Sequence, residues 1–147
     1  MKDFKLTSKK ILGIDHGGKR IGLALADLQT KLAFPDGVIE NRGAKFVVSY
    51  LKNFCQKENI IKIVVGMPYS LRSSAGQGQE NTSNWQKEVN KFVKILKKFF
   101  KIPIILEDER LSTKIIQSFK KSYGIKEKLP KDAISAAVIL QNYLDKK

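Results

Sequence analysis

Two short apolar runs, Ile11 to Ile14 and Ile21 to Ala26, are joined by Asp15-His16-Gly17-Gly18-Lys19-Arg20. Gly-Gly between two β-like runs is a hairpin signal, so this part of the chain is committed to an antiparallel pair of strands. A strand that only fills a core has no use for a carboxylate in such a run. The same few residues therefore fix a tight turn and place an acid and two cations beside it.

The rest of the chain builds on that hairpin. The segment KLAFPDGVIE contains a Pro35-Asp36-Gly37 turn signal followed by a strand candidate from Gly37 to Glu40, which extends the pair into an antiparallel meander. From Ala44 to Lys57, Phe46, Val47, Tyr50, Leu51, Phe54 and Cys55 recur at helical spacing, so Cys55 is expected as a core thiol. The β-branched run IKIVVGM, bounded by Gly66 and Pro68, has the look of a strand covered on both faces. Ser83 and Gln86 form a capping box ahead of an apolar stripe through Trp85, Val89, Phe92, Val93, Leu96, Phe99 and Phe100. IPIILED follows as a strand, then helical signals from Ser112, and KDAISAAVILQNYLDKK is apolar nearly all round, as a buried helix would be. This order describes an α/β protein: a mixed sheet with helices packed on it. The stretch from Pro68 to Thr82 is a long Gly-, Ser- and Gln-rich loop, and loops of that length inside compact domains are usually functional or disordered.

At 147 residues the chain has the length of one domain, which needs no disulfide or metal staple to fold. The single Cys55 cannot form an internal disulfide, and the apolar run near the N-terminus is too short for a signal peptide or a membrane span. A soluble, cytoplasmic protein with no membrane partner is expected. Twenty-eight Lys and Arg against 14 Asp and Glu give a formal net charge of +14, the field of a protein that meets polyanions, although base composition alone can also load a chain with Lys. Only four of those cations are Arg, at Arg20, Arg42, Arg72 and Arg110, and two of these stand beside acidic motifs. A planar fork is suited to phosphate or carboxylate.

Carboxylates stand at three element ends: Asp15 after the first strand, Glu107 to Glu109 at the last strand, and Asp132 at the start of the final helix. Each has a structural reading of its own, as a turn residue, a solvated strand end or a partner of the helix dipole. Together they can converge, since neighbouring strands lie about 4.8 Å apart. In so cationic a chain a cluster of acids is most simply held together by a cation. Oxygen-only ligands suit Mg²⁺ or Mn²⁺, and paired ions of this kind serve in-line attack on phosphodiesters.

The segments GIDHGGKRIGLALAD, IVVGMP, DERLST and KDAISAAVILQNYL resemble the successive motifs of the YqgF/RuvX family, Holliday junction resolvases and nucleases that mature small-subunit ribosomal RNA precursor. The resemblance runs from Lys10 to Leu144. It implies an RNase H-like fold with a five-stranded mixed sheet, an antiparallel meander plus parallel strands, and the first strand central. It also implies a catalytic triad of Asp15, Glu109 and Asp132, with Asp108 as a fourth metal ligand. Two departures stand out: Gly18 replaces the family's usual Thr, and His16 is unusual after the first Asp. The long loop reads SLRSSAGQGQ in place of the family's Met-Asp-Gly wording.

The function expected is a metal-dependent endonuclease using Mg²⁺ or Mn²⁺ on structured nucleic acid, with RNA as first choice of substrate by resemblance and branched DNA as second. Ribosomal precursor particles are expected partners, and the protein is expected as a monomer or homodimer. Lys19, Arg20 and Arg110 are placed to hold backbone phosphates. Lys91, Lys94 and Lys98 belong to a basic stripe on the long helix, which reads either as a solvated face or as a phosphate track. His16 reads as a surface turn residue or as a proton relay. Two rivals stay open: an actin-like phosphotransferase, suggested by DHGGK, and a non-catalytic RNA- or ribosome-binding module, which would keep the stripe and not need the acids.

Overall fold

The computed structural model describes residues 8–68, 84–109, 113–125 and 128–146. In chain order these form β1 (Lys10–His16), β2 (Arg20–Asp27), β3 (Ala33–Glu40), α1 (Ala44–Glu58), β4 (Ile60–Pro68), α2 (Asn84–Phe99), β5 (Ile104–Glu109), α3 (Thr113–Tyr123) and α4 (Lys131–Asp145). The strands make one five-stranded sheet in the order β3-β2-β1-β4-β5. β1, β2 and β3 are the expected antiparallel meander, while β4 runs parallel to β1 and β5 parallel to β4. β1 is central. Because β1, β4 and β5 run the same way, Asp15, Pro68 and Glu109 all arrive at one edge of the sheet.

The third strand is longer than the turn signal suggested. It runs from Ala33 to Glu40, and the register passes from Leu23 opposite Gly37 to Ala24 opposite Pro35, leaving Asp36 as an extra residue. Pro-Asp-Gly has made a bulge rather than a turn. β3 is an edge strand, where a proline's missing N–H costs no ladder bond. At the start of α2, Ser83 lies outside the described residues, and Gln86 Nε2 donates to the Pro68 carbonyl at 2.7 Å, tying this helix to the end of β4. The expected loop beyond Pro68 also lies outside them.

The two faces of the sheet are packed differently. One is covered by α1 and α2 through large side chains, among them Leu12, Ile14, Ile21, Leu23, Leu51, Ile63, Phe92 and Leu96, with Cys55 in the same cluster as expected. Burial pushes the Cys55 thiol up to about 12, so it stays uncharged at neutral pH. The other face carries α4 through Ala24, Ala26, Ala33, Ala136, Ala137, Ile139 and Leu140. Small residues let that helix come close: a Cβ on Gly13 would stand 2.8 Å from Leu140 Cβ. Among the described residues no helix is long and apolar enough to cross a membrane.

Candidate active site

Strand alternation puts Ile11, Gly13 and Asp15 of β1 on the α4 face, and Leu12, Ile14 and His16 on the other. Asp15 pairs across the ladder with Gly22 of β2. A Cβ on Gly22 would overlap the Asp132 carbonyl, so the first turn of α4 rests on β2 beside Asp15 only because residue 22 has no side chain. On the opposite flank a Cβ on Gly66 would come within 2.9 Å of Glu109 Oε1 and would also crowd Ile139. Two glycines inside strands thus let the start of α4 lie against β2 beside Asp15, and let Ile139 and the Glu109 carboxylate lie against β4. The sequence reading takes Gly66 only as a bound of its strand and passes over Gly22, although a glycine inside a strand run is the sign of a close backbone approach.

The electrostatics follow from that close packing. Burial, with the nearby charge of Asp132, pushes Asp15 up to about 6. Burial, with the charge of Asp15, pushes Glu109 up to about 7. These are acids with too little positive charge around them. Asp132 is differently placed, because Arg20 Nε donates to its Oδ2 at 2.8 Å. Among the described residues no group of three or more His, Cys, Asp or Glu is drawn together closely enough to hold one metal ion. The donor chemistry nevertheless fits a hard divalent cation: oxygen-only ligands, and charge on Asp15 and Glu109 that no cation offsets.

The other expected site residues fall in several places. Asp108 pairs with Met67 and is exposed, and alternation turns it away from the face that carries Glu109. The structure does not bring it to Asp15 or turn it to the side of Glu109. Glu107, outside the DERLST motif, is buried on the α4 face and takes an ion pair from Lys146 Nζ at 2.7 Å. Lys19 is exposed in the β1–β2 turn, next to the cluster, and no other nitrogen of Arg20 has a partner among the described residues. Arg110 lies outside the described residues. Lys91, Lys94 and Lys98 are exposed on α2, across the sheet from the acids. His16 is 7% exposed rather than a surface turn residue, and its ring packs on Phe92 and Trp85. Lying on the opposite face from Asp15, it is not aimed at the carboxylates. Gly18 is exposed, and a Cβ there would only touch the Trp85 ring.

The RuvX family model, described as Holliday junction resolvase, matches residues 9–146. A protein of Rickettsia rickettsii (strain Sheila Smith) named "Putative pre-16S rRNA nuclease" is 34% identical over 138 residues, covering 92% of this chain and 85% of its own. A protein of the same name from Rickettsia felis is 35% identical over the same shares. Among solved structures, Thermus thermophilus RuvC in complex with a Holliday junction substrate superposes with a TM-score of 0.62 at 12% identity, over 93% of this chain and 94% of that one. The Fowlpox virus Holliday junction resolvase gives a TM-score of 0.56 at 13% identity, over 94% and 99%. At such identities the structural matches speak for the fold, which is RNase H-like, and the sequence matches speak for descent. The chain belongs to the RuvX family.

Proposed function

We propose that this protein is a divalent-metal-dependent endonuclease of structured nucleic acid, with Asp15, Glu109 and Asp132 as the residues that hold Mg²⁺ or Mn²⁺. The single observation that carries this reading is that Asp15 and Glu109, at the edge where three strands end, are both held protonated towards neutral pH by burial and by the charge of a neighbouring acid, in a chain of net charge +14. An isolated cluster of acids would be a liability to a fold that gained nothing from it. The bound ion would activate water and steady the leaving oxygen of a phosphodiester. The chain's own residues do the rest: Arg20 orients Asp132 through Nε and keeps its remaining nitrogens for a phosphate, while Lys19 adds charge at the turn. Asp108, on the other face, is left out of this ligand set.

RNA is the first choice of substrate, supported by the names of the sequence relatives, and precursor ribosomal RNA would place the enzyme in the cytoplasm. Branched DNA is the second, supported by the description of the family model. Calorimetric titration of Mn²⁺ into wild type and Asp132→Asn, alongside cleavage of precursor rRNA and of a four-way DNA junction, tests both levels. The reading expects triad-dependent Mn²⁺ binding and faster cutting of the RNA. Binding that is equal in the two proteins, with neither substrate cut, would instead favour a non-catalytic binding module.

A further inference from the structure

On the sheet face away from the carboxylates, the seam between α1 and α2 stays open as a groove. Its middle is a cavity of about 630 Å³ lined by Ala44, Val48, Ile95 and Phe99, with Lys45, Ser49 and Lys52 beside them. Past Lys52 and Phe99 the groove continues into a second cavity of about 300 Å³, which reaches Gln56, Phe100 and Ile102. The α1 wall is a single helical stripe, Ala44, Lys45, Val48, Ser49, Lys52 and Gln56, and so runs straight. From Ala44 to Gln56 it measures about 18 Å at the helical rise, the length of roughly three to four turns of a second helix.

Two observations define what would fit there. The first is apolar surface left uncovered: Phe99, at the end of α2, is 47% exposed, and the small side chains of Ala44 and Ser49 opposite leave room above Val48 and Ile95. The second is the sign of the charge. Among the described residues, every charged group that lines these two cavities is a lysine: Lys45, Lys52 and Lys101. Lys52 and Lys98 hold their Nζ atoms 5.9 and 5.7 Å from the ring centres of Phe100 and Phe99, which sets cations at the border of the apolar surface. Glu88 opposes this pattern only at the far end of the seam, where it shares a third cavity with Lys91.

We propose that this groove docks an acidic amphipathic helix of a partner protein, its apolar side chains on Val48, Ile95 and Phe99 and its carboxylates against the lysines on either side. A second copy of the chain fits poorly, because it would bring a net charge of +14 to a border of lysines. A nucleic-acid strand would find the lysines but would gain nothing for its phosphates and riboses from the apolar floor between them. The groove lies across the sheet from Asp15 and Glu109, so partner and substrate need not compete for the same face. Such a partner would bring the protein to its place of work. The inference goes beyond the nuclease reading and stands without it.

A labelled synthetic helix of about 14 residues, with Leu on one face and Glu on the other, is the probe. Two control peptides carry Lys in place of Glu, or Ser in place of Leu. Binding is followed by anisotropy at physiological ionic strength and located by amide NMR shifts, in chelator. The Leu/Glu helix is expected to bind and to move the amides of Val48, Ser49 and Ile95, and neither control to match it. Phe99→Ser, at an exposed position, should weaken binding about tenfold or more, as truncation of an aromatic anchor does. Lys45→Glu with Lys52→Glu should lose the Leu/Glu helix and take up the Leu/Lys one instead. A short tailed RNA should leave the bound peptide in place. The proposal is overturned if the Leu/Glu helix does not bind, or if the Ser control binds equally well, which would reduce the contact to bare charge. Displacement of the peptide by the RNA would make the groove a nucleic-acid track, and sedimentation showing a dimer that Phe99→Ser dissociates would give it to a second copy; either result also overturns it.

Discussion

The two faces of the sheet solve the same packing problem in opposite ways. The face under α1 and α2 is filled with volume, by leucines, isoleucines and phenylalanines that hold the helices off the strands. The face under α4 is filled with proximity, by Gly13, Gly22, Gly66 and a set of alanines that let the helix settle on the backbone. Volume supplies stability and tolerates adjustment, because large side chains can shift. Proximity supplies position: it is what brings an acid at the start of a helix next to an acid at the end of a strand 117 residues earlier. The carboxylates sit on the face that has no slack.

The sharpest way to break this contrast is a matched pair of substitutions. Gly22→Ala puts a methyl group where the Asp132 carbonyl stands, so the first turn of α4 must lift. Cleavage is expected to fall by about a hundredfold or more, the scale of a roughly 1 Å misplacement of reacting groups, and Mn²⁺ binding measured by calorimetry should weaken with it. Leu96→Ala on the other face removes a fully buried side chain and should cost about 2–5 kcal/mol in chemical denaturation. Cleavage assayed well below its lowered melting temperature should nonetheless stay within a few-fold of wild type. If Leu96→Ala lost activity as Gly22→Ala does, the two faces would not be functionally distinct.

A smaller effect sharpens the electrostatic side of the comparison. Asp15 and Glu109 bind protons more tightly folded than unfolded, with values of about 6 and 7 in place of 3.8 and 4.5. Their protonation therefore favours folding at acid pH, and that contribution is lost as pH rises through about 6 to 7. A divalent cation competes with those protons. Mn²⁺ should raise the melting temperature clearly at pH 8 and little at pH 5; equal shifts at both would place the ion elsewhere.

The smallest effect belongs to the lysines. Lys94→Gln with Lys98→Gln should leave stability within about 0.5 kcal/mol, as exposed surface changes do. If both lysines track phosphates, the slope of log affinity against log salt should fall by up to about 0.9 for each. An unchanged slope returns them to a solvated helix face.

Much of this was legible from residues alone, and the failures have physical causes. Hairpin chemistry at Gly17-Gly18 and runs such as IKIVVGM report local preferences, which the fold kept. Pro35-Asp36-Gly37 carried the same local preference for a turn, but an edge strand absorbed it as a bulge. His16 looked like a turn residue because it precedes two glycines; its burial comes from Trp85 and Phe92, some 70 residues away. Asp108 and Glu109 are neighbours in sequence, and only the pleat of β5 separates them onto opposite faces. The acids of the proposed site could be picked as candidates, at Asp15, Glu107 to Glu109 and Asp132, because their type is unusual at the ends of apolar elements, and the family resemblance singles out Glu109 within its run. Gly22 and Gly66 are not unusual in type, and what they do depends on α4 lying over them.

Asp15→Asn tests the central claim most directly, through chelator-phase unfolding across pH together with cleavage in Mn²⁺. Replacing a crowded, partly buried carboxylate by its neutral isostere should have little effect on stability near pH 4. Towards pH 8 the variant should become more stable than wild type by about 1–2 kcal/mol, as the charge it no longer carries would have been repelled. The same variant should cut neither precursor rRNA nor a four-way junction. If Asp15→Asn instead cuts as fast as wild type and shows no stability gain at pH 8, the carboxylates on the close-packed face are not the catalytic centre, and Asp15 is only the residue that ends a strand.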